Sequence, residues 1–374
     1  MLSFWEHREY MHYDYAVIGA GVTGLSTAIS LKEINPQASV VVLERGFMST
    51  GASTKNAGFT CFGSLTELMA DVEAMGEEAM LQLVKDRWEG LQLLRSRLGD
   101  AAIDLQLKGG YELISKDRAD CLDHFDRMNE LLKNHFKQDV FKLRDDLLPE
   151  FGFNGDQISH LILNPLEGQV DTGKMMKALQ AKAASLGVEL ILNAPVEAIE
   201  GDQIITHLAD GAVHILKADQ IAVCTNAFTK KLLPELEMTP GRGMVLVTKP
   251  IEHLPFEGTF HMNEGYDYFR DYYGRVIYGG SRDVDFENET TTVFGINQTI
   301  LEGLKGRLTN TILGHDRYEV DHVWSGIMAF GEDKRPVVKR INEHTVAGVR
   351  LGGMGVALGS LVGQKLAKIL IGEG

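Results

Sequence analysis

Tyr13-Asp-Tyr-Ala-Val-Ile18, Gly19-Ala20-Gly21-Val22-Thr23-Gly24 and Leu25-Ser-Thr-Ala-Ile-Ser-Leu31-Lys-Glu-Ile34 follow one another without a break. The first run is rich in β-branched and aromatic residues and predicts a short strand, the glycines predict a tight turn, and the third run predicts a helix that Pro36 stops. Ser39-Val40-Val41-Val42-Leu43 is continuously apolar, as suits a strand of a parallel sheet covered on both faces. Together they predict one right-handed βαβ unit.

That context gives each glycine a separate task. Gly19 permits the turn, Gly21 lets main chain approach a diphosphate, and Gly24 lets helix and strand pack closely. The N–H groups of Val22 and Thr23, with the partial positive charge at the helix start, then suit a phosphate pair. Glu44 ends the second strand about twenty residues after Gly24, where a carboxylate accepts protons from both ribose hydroxyls and repels a 2′-phosphate. The pattern therefore predicts FAD or NAD rather than NADP.

Farther along, Leu65, Leu68, Met69, Val72 and Met75, then Leu81, Val84, Trp88, Leu91 and Leu94, keep helical spacing and predict a long helical insertion over 64–98. Two strand pieces around Gly109-Gly110 and a helix through Leu122 to Leu132 follow. Asp171 predicts an N-cap for a helix through Leu186, with Gly187 as its stop, before the parallel-type strand Val188 to Leu192. Hairpin-like pieces at Gln203 to Leu216, a buried strand at Gln220 to Cys224, an antiparallel sheet from Met244 to Gly280 and a helix over 297–313 come next. Trp324 to Gly331, Pro336 to Ile341 and Thr345 to Leu351 then lead into a last glycine loop and helix. The fold class is α/β with an α+β second domain. A Rossmann-like FAD-binding domain with a mainly parallel sheet is expected from 12–70, 150–228 and 320–374, and a substrate-binding domain with an antiparallel sheet and helices from 71–149 and 229–319.

Two more loops favour a flavin. Gly51-Ala-Ser53-Thr54-Lys55-Asn56-Ala57-Gly58 is small and rich in donors, suited to covering a flat ring. Leu351-Gly-Gly353-Met354-Gly355-Val356-Ala357-Leu-Gly359 places close-approach glycines before the last helix. A helix N-terminus aimed at the flavin N1–C2=O edge stabilises the charge that appears there on reduction by up to ~2 kcal/mol. An NAD-dependent dehydrogenase has no ready use for this second glycine loop, and a flavin-binding redox-sensing protein without turnover is the other alternative.

With these pieces in order, the chain resembles the D-amino-acid oxidase-like (DAO) family of FAD-dependent oxidoreductases, nearest its amine, γ-glutamylputrescine, glycine and sarcosine oxidase branches. The resemblance runs through Tyr15 to Leu31, Glu44-Arg45-Gly46, Gly51 to Gly58, Gly168 to Asp171, Ala194-Pro-Val196, Ala222 to Ala227, Tyr268 to Gly280, Trp324 to Pro336, including Gly326, and Gly348 to Gly359. It implies non-covalent FAD, an adenine contact at Val196, and cofactor binding at Thr225-Asn226, a pair closer to the amine-oxidising branch than to the D-amino-acid branch. Cys61 and Asn56 lie near positions where some members link flavin covalently, without matching them. The implied activity is oxidation of a C–N bond of an amine or N-substituted amino acid by hydride transfer to flavin N5, giving an imine that water hydrolyses. The electron acceptor is oxygen or a quinone.

Many family members that act on amino acids carry arginines where this chain has Met328 and Gly353, so the usual bidentate carboxylate clamp is missing there. Arg270 is the expected replacement charge, ahead of Arg282, with Tyr268, His261 and Met328 as further candidate substrate contacts. Trp324 is expected to serve packing rather than catalysis.

Composition narrows the remaining classes. Among 374 residues, 44% are apolar and 24% charged, which excludes a disordered or fibrous chain. Acidic residues outnumber basic ones by 52 to 37, and a net charge of −15 repels nucleic acid. Cys61, Cys121 and Cys224 are scattered, suggesting neither a disulfide frame nor a metal site. Residues 1–11 lack the apolar run of a secretion signal, and Leu351 to Gly372 is too polar to span a membrane. A cytoplasmic location is expected.

Overall fold

The computed structural model describes residues 2–207 and 211–373. A short helix α1 (Phe4–Tyr10), capped by Ser3, leads into β1 (His12–Ile18), α2 (Val22–Ile34) and β2 (Val40–Leu43). β1 and β2 pair in parallel, with Tyr15 opposite Val40 and Ile18 opposite Leu43, and every β2 side chain is buried. The βαβ unit forms as its sequence predicts.

After β3 (Phe59–Thr60) come α3 (Leu65–Met75) and α4 (Glu77–Leu98). The helical insertion is thus two helices, because Gly76 between them takes φ +84°. In β4 (Gly110–Ser115) only the second of the two expected strand pieces forms, and the first is reduced to a bridge between Gln106 and Gln169. α5 (Phe125–Phe136), β5 (Lys142–Leu143), α6 (Leu148–Phe151), β6 (Ile158–Asn164) and β7 (Gly168–Gln169) follow. In α7 (Thr172–Ser185) Asp171 is the N-cap, accepting the Lys174 N–H at 2.9 Å.

Next come β8 (Glu189–Ile191), β9 (Val196–Glu200), β10 (Gln203–His207) and β11 (Val213–Val223). β11 joins the second half of the expected hairpin to the expected buried strand, pairing antiparallel with β10 at one end and parallel with β1 at the other. Residues 208–210, within that hairpin, lie outside the described residues. β12 (Thr239–Thr248), β13 (Thr259–Met262), β14 (Asp267–Tyr272) and β15 (Arg275–Gly280) make the antiparallel stretch. α8 (Phe286–Glu289), α9 (Gln298–Arg307) with a π-helical extension through Leu313, β16 (Val320–Phe330), β17 (Val337–Arg340), β18 (Thr345–Val349) and α10 (Gly355–Leu370) complete the order.

The strands form two large sheets. One runs β17-β18-β11-β1-β2-β8 with β9 and β10 attached, and the other runs β16-β12-β15-β14-β13-β4-β6-β5. β6 and β16, expected with the nucleotide-binding stretches, therefore belong to the antiparallel sheet, where β16 pairs along β12 from Phe330 opposite Thr239 to Val320 opposite Thr248. In the opposite sense, α4 was expected with the substrate-binding stretches, yet Leu83, Leu91 and Leu94 are buried in the helical layer of the first sheet. An apolar stripe fixes which face is buried but not which neighbour buries it.

Glycines let that helical layer close. A Cβ on Gly359 would stand 2.6 Å from Val22 Cγ1, one on Gly363 2.6 Å from the Thr27 nitrogen, and one on Gly90 2.0 Å from the Ala357 carbonyl oxygen. α10 is thereby seated between α2 and α4. Behind the second sheet, Phe260 and Phe269 stack with ring centroids 4.7 Å apart inside a cluster that includes Phe153 and Phe256.

Candidate active site

In the first sheet, β1 is flanked by β2 on one side and β11 on the other, so the chain order reverses at its C-terminal end, where open α/β sheets bind ligands. A cavity of about 670 Å³, of the size that takes a cofactor or small ligand, opens there and continues to the antiparallel sheet. Its nucleotide end is built from Gly19, Gly21, Val22 and Thr23. Gly21 is the N-cap of α2 and offers no capping side chain, while the buried Thr23 hydroxyl has no hydrogen-bond partner among the described residues. Helix-start donors and an unpartnered hydroxyl suit an anionic diphosphate. Gly24 does not line the cavity. A Cβ there would come within 1.9 Å of the Gly19 carbonyl oxygen, so Gly24 serves helix–strand packing, as expected.

Glu44 lines the cavity and is buried. Its two oxygens accept the Ala20 and Gly46 N–H groups at 3.0 Å each, which fixes the carboxylate and leaves a lone pair on each oxygen for a ribose hydroxyl. Arg45 lies over the Phe228 ring, its guanidinium carbon 3.7 Å from the centroid, and both line the cavity with Val196, Thr225 and Asn226. Ser53, Lys55, Asn56, Ala57 and Gly58 line the next stretch. Ser53 Oγ accepts the Val22 N–H at 3.0 Å, tying this loop to the first glycine turn. Thr54 does not reach the cavity, because its hydroxyl donates inward to the Ser49 and Gly51 carbonyls. Trp324 donates its indole N–H to the Lys55 carbonyl at 2.9 Å, a bracing role.

Gly353, Met354, Gly355, Val356 and Ala357 line the same cavity, together with Gly326 and Met328. The N-termini of α2 and α10 thus converge on one space. The two positions that lack an arginine are neighbours, since a Cβ on Gly353 would lie 3.7 Å from Met328 Sδ. Cys61 Sγ sits 3.9 Å from Met354 Sδ, and burial pushes its thiol well above the ordinary value. It stays a protonated thiol rather than a nucleophile.

Of the remaining candidates, Tyr268 and His261 line the cavity and Arg270 does not. Arg270 is buried behind the wall, its Nη1 donating to the Val170 carbonyl at 2.9 Å and, more distantly, to Gly58. Arg270 shares the strand face of Tyr268 but lies two residues farther along β14, where Gly58 and Val170 cover it, while Arg282, ranked lower from the sequence, lines the cavity.

Several wall residues were not foreseen. Glu67 and Asp71, one turn apart on α3, meet Lys334 at 3.2 and 2.7 Å and stand 3.8 and 3.6 Å from the fully buried Arg87. Burial favours the neutral acid at Glu67, but Lys334 and Arg87 outweigh it and hold the carboxyl at about 2. The available signal was an acidic i, i+4 pair within an otherwise apolar helix face. Behind His261, Glu167 lies with Oε2 3.8 Å from Nε2. Burial raises Glu167 to about 8 and lowers His261, so both are neutral near pH 7.

The family model for DAO, FAD dependent oxidoreductase, matches residues 14–369. The chain belongs to the DAO family. It is similar to the probable oxidoreductase OrdL of Haemophilus influenzae, 22% identical over 97% of this chain and 84% of that protein. It is also similar to the gamma-glutamylputrescine oxidoreductase of Escherichia coli, 24% identical over 96% of this chain and 84% of that one. Among solved structures, glycine oxidase from Geobacillus kaustophilus superposes with a TM-score of 0.78 at 20% identity, covering 97% of this chain and 96% of that chain. As a DAO member this chain is an FAD-dependent oxidoreductase, and the NAD alternative falls away. Among the described residues no helix is long and apolar enough to cross a membrane, and no cluster of metal-ligating side chains occurs.

Proposed function

We propose that the chain oxidises the C–N bond of an amine or amino-acid-like substrate, giving an imine that water hydrolyses, with oxygen or a quinone as final acceptor. The observation that carries this reading is the single cavity that starts at two helix N-termini and ends against Tyr268, His261 and Met328 of the antiparallel sheet. Gly21, Val22 and Thr23 would hold the diphosphate of FAD, Glu44 the ribose, Val196 with Arg45 the adenine, and loop 51–58 with the α10 N-terminus the ring system. FAD, when bound, accepts the hydride that leaves the carbon next to nitrogen.

The protein's own part is to position and to exclude water. Phe59 packs edge-on against both His261 and Tyr268, at centroid distances of 5.1 and 5.6 Å, and keeps that end dry. A substrate that arrives as the free amine needs no side chain to take its proton. The protonated Cys61 thiol supports non-covalent cofactor binding. We also read the two sheets as the nucleotide-binding and substrate-binding divisions, sharing the cavity between them.

The test is an anaerobic panel of primary, secondary and N-substituted amines followed by air. Bleaching of the bound flavin by at least one amine, with imine-derived carbonyl product, is expected. A cofactor that stays oxidised across the panel would leave a flavin-binding protein without turnover.

A further inference from the structure

Two of the cations on the cavity wall are already matched by carboxylates. Lys334 is held by Glu67 and Asp71, and Lys231 by Glu197. Arg45 and Lys55 make no ion pair among the described residues, but they sit on the segments that would hold the cofactor, Arg45 just after β2 and over Phe228, Lys55 in loop 51–58 and over Phe294. Arg282 differs. It lines the cavity beside Tyr266 and Phe330, yet among the described residues it makes no hydrogen bond and no ion pair. Its guanidinium carbon lies 4.1 Å from the Phe330 centroid and 4.6 Å from that of Phe286. The guanidinium thus rests over two rings, while its N–H donors have no hydrogen-bond partner among the described residues.

The backbone holds it there firmly. Gly280 takes φ +121°, and a Cβ at that position would come within 1.9 Å of the Tyr266 carbonyl oxygen. Ser281 then takes φ +58° and donates its hydroxyl to Asp267 at 2.6 Å, so the chain turns sharply just before Arg282. The segment beyond is stapled by a two-pronged Arg242–Glu289 pair at 2.7 and 2.8 Å, with Glu289 fully buried.

Nearby acids do not occupy Arg282. Glu264 pairs with Arg118, Asp333 with Arg335 and Arg350, and the neighbouring Asp283 accepts from Asn263 at 3.0 Å through one oxygen, its other oxygen being buried without a hydrogen bond and making no ion pair with Arg282. Phe286 and Tyr266 are partly open to solvent, which puts Arg282 toward the cavity mouth. The Met328 and Gly353 positions are apolar and carry no cation.

We propose that Arg282 is the carboxylate-binding residue of this site, and that the substrate is an amine bearing a carboxylate several bonds away from the oxidised C–N bond. A planar fork with its faces fixed by rings matches a carboxylate in two parallel hydrogen bonds. Its place near the mouth sets the acid at the tail of the substrate, leaving the reacting end against Met328 and Tyr268. This inference rests on the amine-oxidation reading of the cavity.

The experiment uses the FAD-loaded protein and its Arg282→Ala, Arg282→Gln and Arg282→Lys variants. Glutarate and succinate, with the matched diamides, are titrated against the absorbance of the oxidised flavin, a readout that needs no turnover. Wild type is expected to bind the dicarboxylates at least ten-fold more tightly than the diamides. Arg282→Ala and Arg282→Gln should lose that preference, and Arg282→Lys should keep part of it, all with unchanged flavin content. With amines that reduce the flavin, carboxyl-tailed substrates should show a raised KM and nearly constant kcat in Arg282→Gln, and neutral amines no change. Dicarboxylate binding that is absent in wild type, or unaltered in both uncharged variants, overturns the proposal. Arg282-dependent dicarboxylate binding in a protein that no amine reduces would support the carboxylate subsite while overturning the oxidation reading.

Discussion

A methyl group at Gly21 would meet Ser53 Oγ at 3.0 Å, the atom that accepts the Val22 N–H. Gly21→Val is therefore expected to displace loop 51–58 and close the diphosphate cradle, lowering the flavin-to-protein absorbance ratio at least ten-fold. Arg270→Ala should act on stability instead. Its lost charge-assisted bond to the buried Val170 carbonyl is worth about 2 kcal/mol in urea unfolding, and acidic and neutral substrates should be affected alike. Glu167 carries a pH signature. Burial raises its folded value to about 8 from an ordinary 4.5, so between these limits the folded chain keeps a proton that the unfolded chain has released. Stability contributed at this site then falls as pH rises through that window, and Glu167→Gln should flatten the slope of unfolding free energy against pH. That Gly19, Gly21 and Glu44 line one cavity was legible because a strand–turn–helix with glycines and one carboxylate at fixed spacing brings those positions together at the end of a parallel sheet. Arg270 was misread because alternation puts it on the same face as Tyr268 but does not reveal that Gly58 and Val170, distant in sequence, cover that part of the strand.

At the scale of elements, Asp171 caps α7 and also accepts the Tyr272 hydroxyl at 2.9 Å. Asp171→Ala is expected to cost about 1–2 kcal/mol, read by thermal unfolding, with the flavin content retained. Helix periods, caps and the first two strands could be read directly, since each depends on neighbours within a few residues. The break at Gly76 was hidden because apolar spacing continues across it, and only the positive φ separates α3 from α4. β6 and β16 went to the other sheet for a different reason. Strand pairing is decided by partners far along the chain, and alternation alone fits either sheet.

For the whole molecule, the cavity proposed to hold FAD takes its walls from both sheets and from segments near both ends of the described chain. Saturating FAD at 100 times its Kd should therefore stabilise the fold by about 2.7 kcal/mol, measurable as a raised Tm of the apoprotein. The allocation of strands to the two large sheets was only partly legible, because the chain enters and leaves each sheet more than once. Seating α10 between α2 and α4 also has a consequence during synthesis. Ser26 and Thr27 of α2 are shielded by a helix translated on the order of 300 residues later, which at 5–20 residues per second is a wait of roughly 15–60 s. The first βαβ unit thus emerges with the flank of α2 uncovered until the ribosome delivers its last wedge.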